Sequence, residues 1–266
     1  MTQDRMGTRR FGAVNWLGLE TLALRETRRF LAVWTQTIAA PLVTAGLFLS
    51  VFALALGPQR GEVMSAPFIH FLAPGILMMT VIQNAFANTS SSLVISKVQG
   101  NIVDTLMPPL APWELVLGFL AGGAARGALV ALAVTLALGV FLGLWPQHPV
   151  WLALMVVVGS CLLGALGIAA GIISNKFDQI AAITNFIITP LSFLSGTFYT
   201  TATLPPLMAQ VSHVNPVFYL IDGARWAYLD RSDSDPLLGL AVTSGTTLAI
   251  SALAWAWLRR GYRLKP

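Results

Sequence analysis

"SKVQGNIVDTLMPPLAPWE", residues 96–114, lies between two long apolar stretches. It gathers a lysine, an aspartate, a glutamate, a glutamine, an asparagine and three prolines within nineteen positions. The chain around it is 56% hydrophobic and only 10% charged, so polar side chains are scarce and their concentration here marks a junction between two apolar helices. Ile95, Val98, Ile102 and Leu106 recur at spacings of three, four and four, which puts them on one helical face. Pro108-Pro109 stops that helix. The spacing predicts a helix of about three turns over about 95–107, too short to cross a bilayer and set between two spans.

Working outward, the flanks are those of a membrane protein. A soluble domain is about 25% charged, whereas this chain combines 10% charge with a mean hydropathy of +0.72. Its 266 residues accommodate six helices of roughly 20 apolar residues each. The apolar runs place them near 35–57, 68–88, 114–145, 150–173, 178–200 and 236–258. The fold class expected is an all-α membrane protein: a tail and helix at 1–34, a six-span domain at 35–258 and a basic tail at 259–266.

Charge orients these spans. Ten of the sixteen basic residues lie in the two tails. With an even number of spans both tails share one side, and Lys97, Arg126 and Lys176 join them there. Only Arg60, Arg225 and Arg231 fall on the other. Such a bias reads as both termini cytoplasmic. The same distribution argues against nucleic acid as the partner of a chain of net charge +5. The six arginines and absent apolar core of residues 1–34 do not fit a cleavable signal peptide. Cys161 has no partner for a disulfide.

Before the first span, residues 14–34 alternate Trp16, Leu19, Leu22, Leu24, Phe30 and Val33 with Glu20, Arg25, Glu26, Arg28 and Arg29. This is the pattern of an amphipathic helix in the membrane interface, either an anchor or an anchor that also meets a cytoplasmic partner. Arg126 precedes nineteen uncharged residues, 127–145, nearly a span by themselves. It is therefore either a boundary arginine or a charge at the inner mouth of a pathway. The segment 201–230 is apolar but broken by Pro205, Pro206 and Asn215-Pro216, which fits short helices dipping back into the outer leaflet.

No phosphate-cradling GxxxxGK[ST], no HExxH and no GxSxG occurs. His70, His148 and His213 are far apart, so neither a catalytic set nor a metal site is expected. Acids stay at tails, loops and span boundaries, which disfavours an ion-coupled carrier. A stand-alone secondary transporter remains the alternative reading.

At this point the residues resemble the membrane subunit of ABC-2 type exporters, the group that includes permeases for polysaccharides, nodulation factors and hydrophobic drugs. The first matching stretch is Lys97-x-x-Gly100, Leu106, Pro109-Leu110-x-Pro112-x-Glu114 and Gly118. The second is Phe193-Leu194-Ser195-Gly196-x-Phe198-Tyr199, then Leu204-Pro205, Asn215-Pro216, Asp222 and Arg225. The resemblance implies a permease of the bacterial inner membrane that pairs with a second copy of itself and with a separate ABC ATPase subunit. ATP and Mg would be bound there, and no cofactor by this chain. It assigns Lys97, Gln99, Gly100, Asn101, Asp104, Thr105 and Pro109 to ATPase coupling, with Glu20, Arg25 and Arg28 on the interface helix. Gly196, Tyr199, Asn215, Pro216, Asp222 and Arg225 fall in the external re-entrant motif. Many drug-exporter members carry a glutamate three residues after the coupling glycine. Val103 holds that place here and Asp104 follows it. Lipid-linked glycans and amphipathic small molecules are both open as substrates.

Overall fold

The computed structural model describes Gly12 and residues 14–264, with the backbone alone over 56–60. Arg5, Arg9, Arg10 and Lys265 of the basic tails, and the side chain of Arg60, lie outside the described residues. Helix α1 (Trp16–Leu31) opens the fold, capped by the Asn15 side chain, which accepts from the Gly18 amide at 2.9 Å. A π-turn, Thr35–Ala39, leads into α2 (Ala40–Arg60). A two-residue antiparallel ladder, β1 (Glu62–Val63) with β2 (Ala66–Pro67), turns the chain into α3 (Phe68–Val98). Then follow α4 (Ile102–Leu106), α5 (Pro112–Leu142) and α6 (Pro149–Ile173). Next are α7 (Phe177–Ile183), a second π-turn (Thr184–Ile188) and α8 (Thr189–Phe193). Finally come α9 (Pro206–Val214), α10 (Pro216–Leu229) and α11 (Pro236–Arg260).

Among the described residues, five helical stretches are long and apolar enough to cross a membrane: Thr35–Ala55, Phe68–Val98, Pro112–Leu142, Pro149–Ile173 and Pro236–Arg260. Each falls on an expected span. The other expected span, 178–200, corresponds to the three consecutive pieces from Phe177 to Phe193, after which the backbone turns at Gly196 (φ +80°). Pro190 cannot donate to the carbonyl four residues back, and the π-turn just before it takes up the mismatch. Pro41 sits just after the first π-turn in the same way.

The core is built on α3 and α6, with Phe71, Ile76, Val81, Met155, Leu162 and Ile168 wholly enclosed. Lipid is as apolar as leucine, so helices must gain their association from close packing and shared hydrogen bonds. Here Gly167 faces Thr89 so closely that a Cβ would stand 2.1 Å from its Oγ1, and Thr89 Oγ1 donates to the Gly164 carbonyl at 2.8 Å. Gly118 and Gly122 on α5 do the same for α1. Cβ atoms there would meet Leu22 and Glu26, each at 2.4 Å. Helix α10 is buried against α3, α6 and α11, whereas α2 and α11 bury few of their apolar side chains, Ala45 and Leu49 on the one and Ala254 and Leu258 on the other.

The segment 95–107 departs from expectation. Instead of one three-turn helix, α3 runs on through Val98 and stops at Gly100, whose φ of +73° only glycine adopts cheaply. One further turn, α4, follows. Of the four apolar residues expected to share a face, Ile102 alone is buried, while Val98 and Leu106 are exposed.

Candidate functional site

Both ends of the described chain lie at one end of the helical bundle. Leu264 packs in the same apolar cluster as Leu22, Leu93, Ile102 and Leu115. Arg263 Nη1 reaches the Ile173 carbonyl at 3.5 Å. The polar stretch 96–114 is at this terminal end, and α1 is tied to it. Glu114, in the first turn of α5, accepts from the Asn15 amide at 2.8 Å and from the Ala111 amide at 2.6 Å, and is wholly buried. Asn15 Nδ2 donates to the Pro109 carbonyl at 3.4 Å.

About three turns further along α1, Glu26 is also wholly buried. Its Oε1 accepts from Ser92 Oγ at 2.8 Å and Arg25 Nη2 at 3.0 Å, and its Oε2 from Arg29 Nη2 at 3.0 Å. Arg25 Nη1 then donates to Thr105 Oγ1 of α4 at 3.0 Å. Arg29 extends to the Asn88 carbonyl at 2.7 Å. Two arginines and a serine compensate the buried carboxylate, which makes its burial tolerable. One charge cluster thereby joins α1, α3 and α4. A groove of about 380 Å³ remains between α1 and α4, lined by Gly18, Thr21, Arg25, Asp104, Thr105 and Pro109 among others.

The residues expected at the coupling surface divide into two sets. Gln99, Gly100, Asn101, Asp104 and Pro109 are exposed there, as are Glu20, Arg25 and Arg28 on α1. Lys97 is buried. Its Nζ donates to the Ile172 carbonyl and, at 3.2 Å, to that of Ser174, so it caps the end of α6 rather than facing outward. Thr105 is buried too, engaged by Arg25. The α1 pattern divides likewise. Leu22, Glu26 and Phe30 form the buried line, while Trp16, Leu24 and Val33 are exposed. The i, i+4, i+8 spacing of that line was the available signal for Glu26; Asn88, Ser92 and Asn15 carried none.

At the opposite end the two halves of the second motif come together. Asn215 caps α10, accepting from the Val217 amide at 3.0 Å, and donates to Ser195 Oγ at 2.7 Å; Pro216 occupies the first helical position. Arg225, wholly buried, donates from Nη2 to the Gly196 carbonyl at 2.7 Å and lies 4.0 Å above the Phe71 ring. Its Nη1 is 3.6 Å from Asp222 Oδ1 and 3.8 Å from Asp233 Oδ2. Asp222 accepts from the Asp233 and Ser234 amides at 2.8 and 2.9 Å and from Ser234 Oγ at 2.6 Å. Burial pushes the Asp222 carboxyl up and the Arg225 guanidinium down, each partly offset by the other. The Tyr199 hydroxyl donates within its own turn, to the Leu194 carbonyl.

A second groove, of about 450 Å³, runs between α2, α3 and α8. Gln36 and Asn84 stand toward the terminal end, Thr44, Thr80, Gln83 and Thr189 in the middle, and Phe48 and Phe193 at the far end. Both outer walls carry a π-turn followed by a proline, a local softening of the helix often met at functional sites. Asn84 Oδ1 accepts from Arg126 Nη2 at 2.8 Å and Nε at 3.2 Å. Arg126 is thus a half-buried cation held beside this groove.

Among the described residues no group of three His, Cys, Asp or Glu side chains is placed to hold a metal ion. What the fold presents is a helical membrane protein, with a polar terminal end and a lined groove between its long helices. Residues 18–229 match the ABC-2 type transporter family, and the chain belongs to that family, as the membrane subunit of an ABC transporter. It is 33% identical over 251 residues to the inner membrane transport permease YadH of Escherichia coli K12, covering 94% of this chain and 98% of that one. It is 25% identical over 232 residues to nodulation protein J of Sinorhizobium fredii, covering 85% and 84%. A probable multidrug ABC transporter permease, YbhR of Escherichia coli K12, is 24% identical over 204 residues, covering 71% of this chain and 52% of that one.

Proposed function

We propose that two copies of this chain form the membrane path of an ATP-driven exporter, with a separate ATPase subunit docked on each at the terminal end. ATP and Mg are handled in that subunit. Each copy crosses the inner membrane six times, the segment Phe177–Phe193 supplying the fifth crossing. Helices α9 and α10 return as re-entrant pieces on the far side, and both termini are cytoplasmic. The basic residues support this orientation, since Lys97, Arg259, Arg260 and Arg263 gather at the terminal end and Arg225 and Arg231 at the other.

The observation that carries the reading is the tie between α1 and α4. A docking element transmits force only if it cannot yield against its own protein, and one turn of helix is too short to be rigid alone. The bond from Arg25 to Thr105, with Glu26 and Ser92 behind it, fastens α4 to α1 and α3. Gln99 and Asn101, joined by a bond of 3.3 Å, and Asp104 stay exposed to a partner. ATP binding would favour one ATPase arrangement, and its differential contact with this surface would tilt the attached helices.

The test is a charge reversal, Asp104→Lys, in the full complex with the candidate ATPase. The variant is expected to insert and melt like the wild type while losing co-purification of the ATPase and its stimulation. Transport that proceeds without ATP and collapses with the ion gradient would overturn the reading.

A further inference from the structure

The groove between α2, α3 and α8 is polar where an apolar wall would suffice. Gln36 and Gln83 make no side-chain hydrogen bond among the described residues, and both line it. Gln36 is exposed and Gln83 half-buried, and at membrane depth an unpaired amide is costly, so these groups favour something polar in the groove, water or the polar part of a ligand. Arg126 is not one of the lining residues, but its bonds to Asn84 set its charge beside the groove. Glu26 neutralises its neighbour Arg29, but among the described residues Arg126 has only the neutral amide of Asn84. Neither an ion pair to it nor an acid among the groove residues occurs there. Its Nη1 has no hydrogen bond within the same residues. At the other end, Phe48 and Phe193 join Phe52 and Phe198 in an aromatic cluster with ring centroids 4.8 to 6.5 Å apart.

A cation and amides at one end, hydroxyls in the middle and aromatic rings at the other form a template for an amphiphile. We infer that this groove binds an amphiphilic substrate by an anionic head, phosphate or carboxylate, with the head on Arg126 and Asn84 and the tail toward Phe48 and Phe193. This deepens the exporter reading and rests on it for the word substrate. Arginine suits the task because its planar donors serve two partners at once: Nε and Nη2 hold Asn84, and Nη1 is left to meet an oxyanion.

Binding is measured on the purified full chain without ATP, so the result stands apart from whether an ATPase drives the protein. The probes are radiolabelled dodecyl phosphate, with dodecyltrimethylammonium and inorganic phosphate as competitors. Dodecyl phosphate is expected to bind, and dodecyltrimethylammonium to compete poorly. Arg126→Gln should weaken binding about tenfold or more, the factor expected for a lost hydrogen bond to a charged group. Arg126→Lys should keep most of the affinity. Asn84→Asp supplies the missing carboxylate next to Arg126 and should abolish the preference for the anion with the thermal midpoint unchanged. Equal affinity in Arg126→Gln and wild type, or equal competition by the cationic amphiphile, would overturn the anion assignment. Competition by inorganic phosphate as strong as by unlabelled dodecyl phosphate would overturn the amphiphile.

Discussion

Gly122→Ala is the smallest change that tests whether α1 is seated in the protein or merely rests on the bilayer. The added Cβ would stand 2.4 Å from the Cβ of Glu26 and 3.2 Å from its Cγ. Neither atom is the end of a flexible side chain. Carbon atoms pack at about 3.5–4.0 Å, so α1 must retreat from α5 by about 1.1–1.6 Å at this level. Arg25 is long enough to follow the movement. Glu26 is not: its bond from Ser92, 2.8 Å long and buried, has no slack to absorb that shift. Overpacking of this kind costs about 1–3 kcal/mol, and a buried carboxylate that loses a donor raises the figure within that range. The expected result is a lowered thermal midpoint of the purified chain together with loss of ATPase stimulation in the complex. Gly46→Ala on α2 is the control, because nothing lies within 4 Å of its would-be Cβ, and it should behave as wild type. A Gly122→Ala variant with unchanged melting and unchanged stimulation would refute the claim that α1 docking is structural.

Two further substitutions separate support from contact. Lys97→Met keeps an apolar stem but removes the ammonium that caps α6, so it should cost about 1.5–3 kcal/mol in melting while the ATPase still co-purifies below the transition. Loss of the ATPase at unchanged melting would instead return Lys97 to the docking surface. Arg225→Lys should be poorly tolerated, since an ammonium cannot both lie flat on Phe71 and reach the Gly196 carbonyl. The lysine keeps the positive charge facing Asp222 and Asp233, so the cost is that of a lost hydrogen bond from a charged donor, about 1.5–3 kcal/mol, read as a lower thermal midpoint and faster limited proteolysis near Arg231.

Five of the expected spans were legible because a long apolar run has few other fates and because prolines and glycines mark its ends. The segment 178–200 was legible as apolar, but not as a helix in three pieces. A π-turn is set by how Pro190 and the walls of a groove accommodate one another, which hydropathy does not record. The expected helix over 95–107 failed for a local reason. A spacing of three, four and four is satisfied equally by one helix and by two helical pieces flanking Gly100, and the left-handed turn there chooses the second. Pro108-Pro109 does stop α4; the earlier stop is a single glycine inside a good pattern.

The site was less legible than the fold because charge has two uses in a chain with so little of it. A lysine beside a coupling glycine looks outward on composition alone. Whether it turns inward depends on where α6 ends, seventy-five residues later in the chain, with carbonyls that need a donor. Glu26 poses the opposite problem, an acid on the polar arc of an amphipathic helix that belongs to the buried line instead. Its burial requires that α5 offer no side chain at Gly118 and Gly122 and that Ser92 and Arg29 arrive from two directions. Each of these conditions is a relation between distant segments. Gly100, which lies on the family motif, and Asp104, one place after the position of the family's acid, are at the surface without them. The tie that holds α4 in place at that surface is written in residues outside the motif, Arg25, Glu26 and Ser92, and it exists only once α1, α3 and α4 have met.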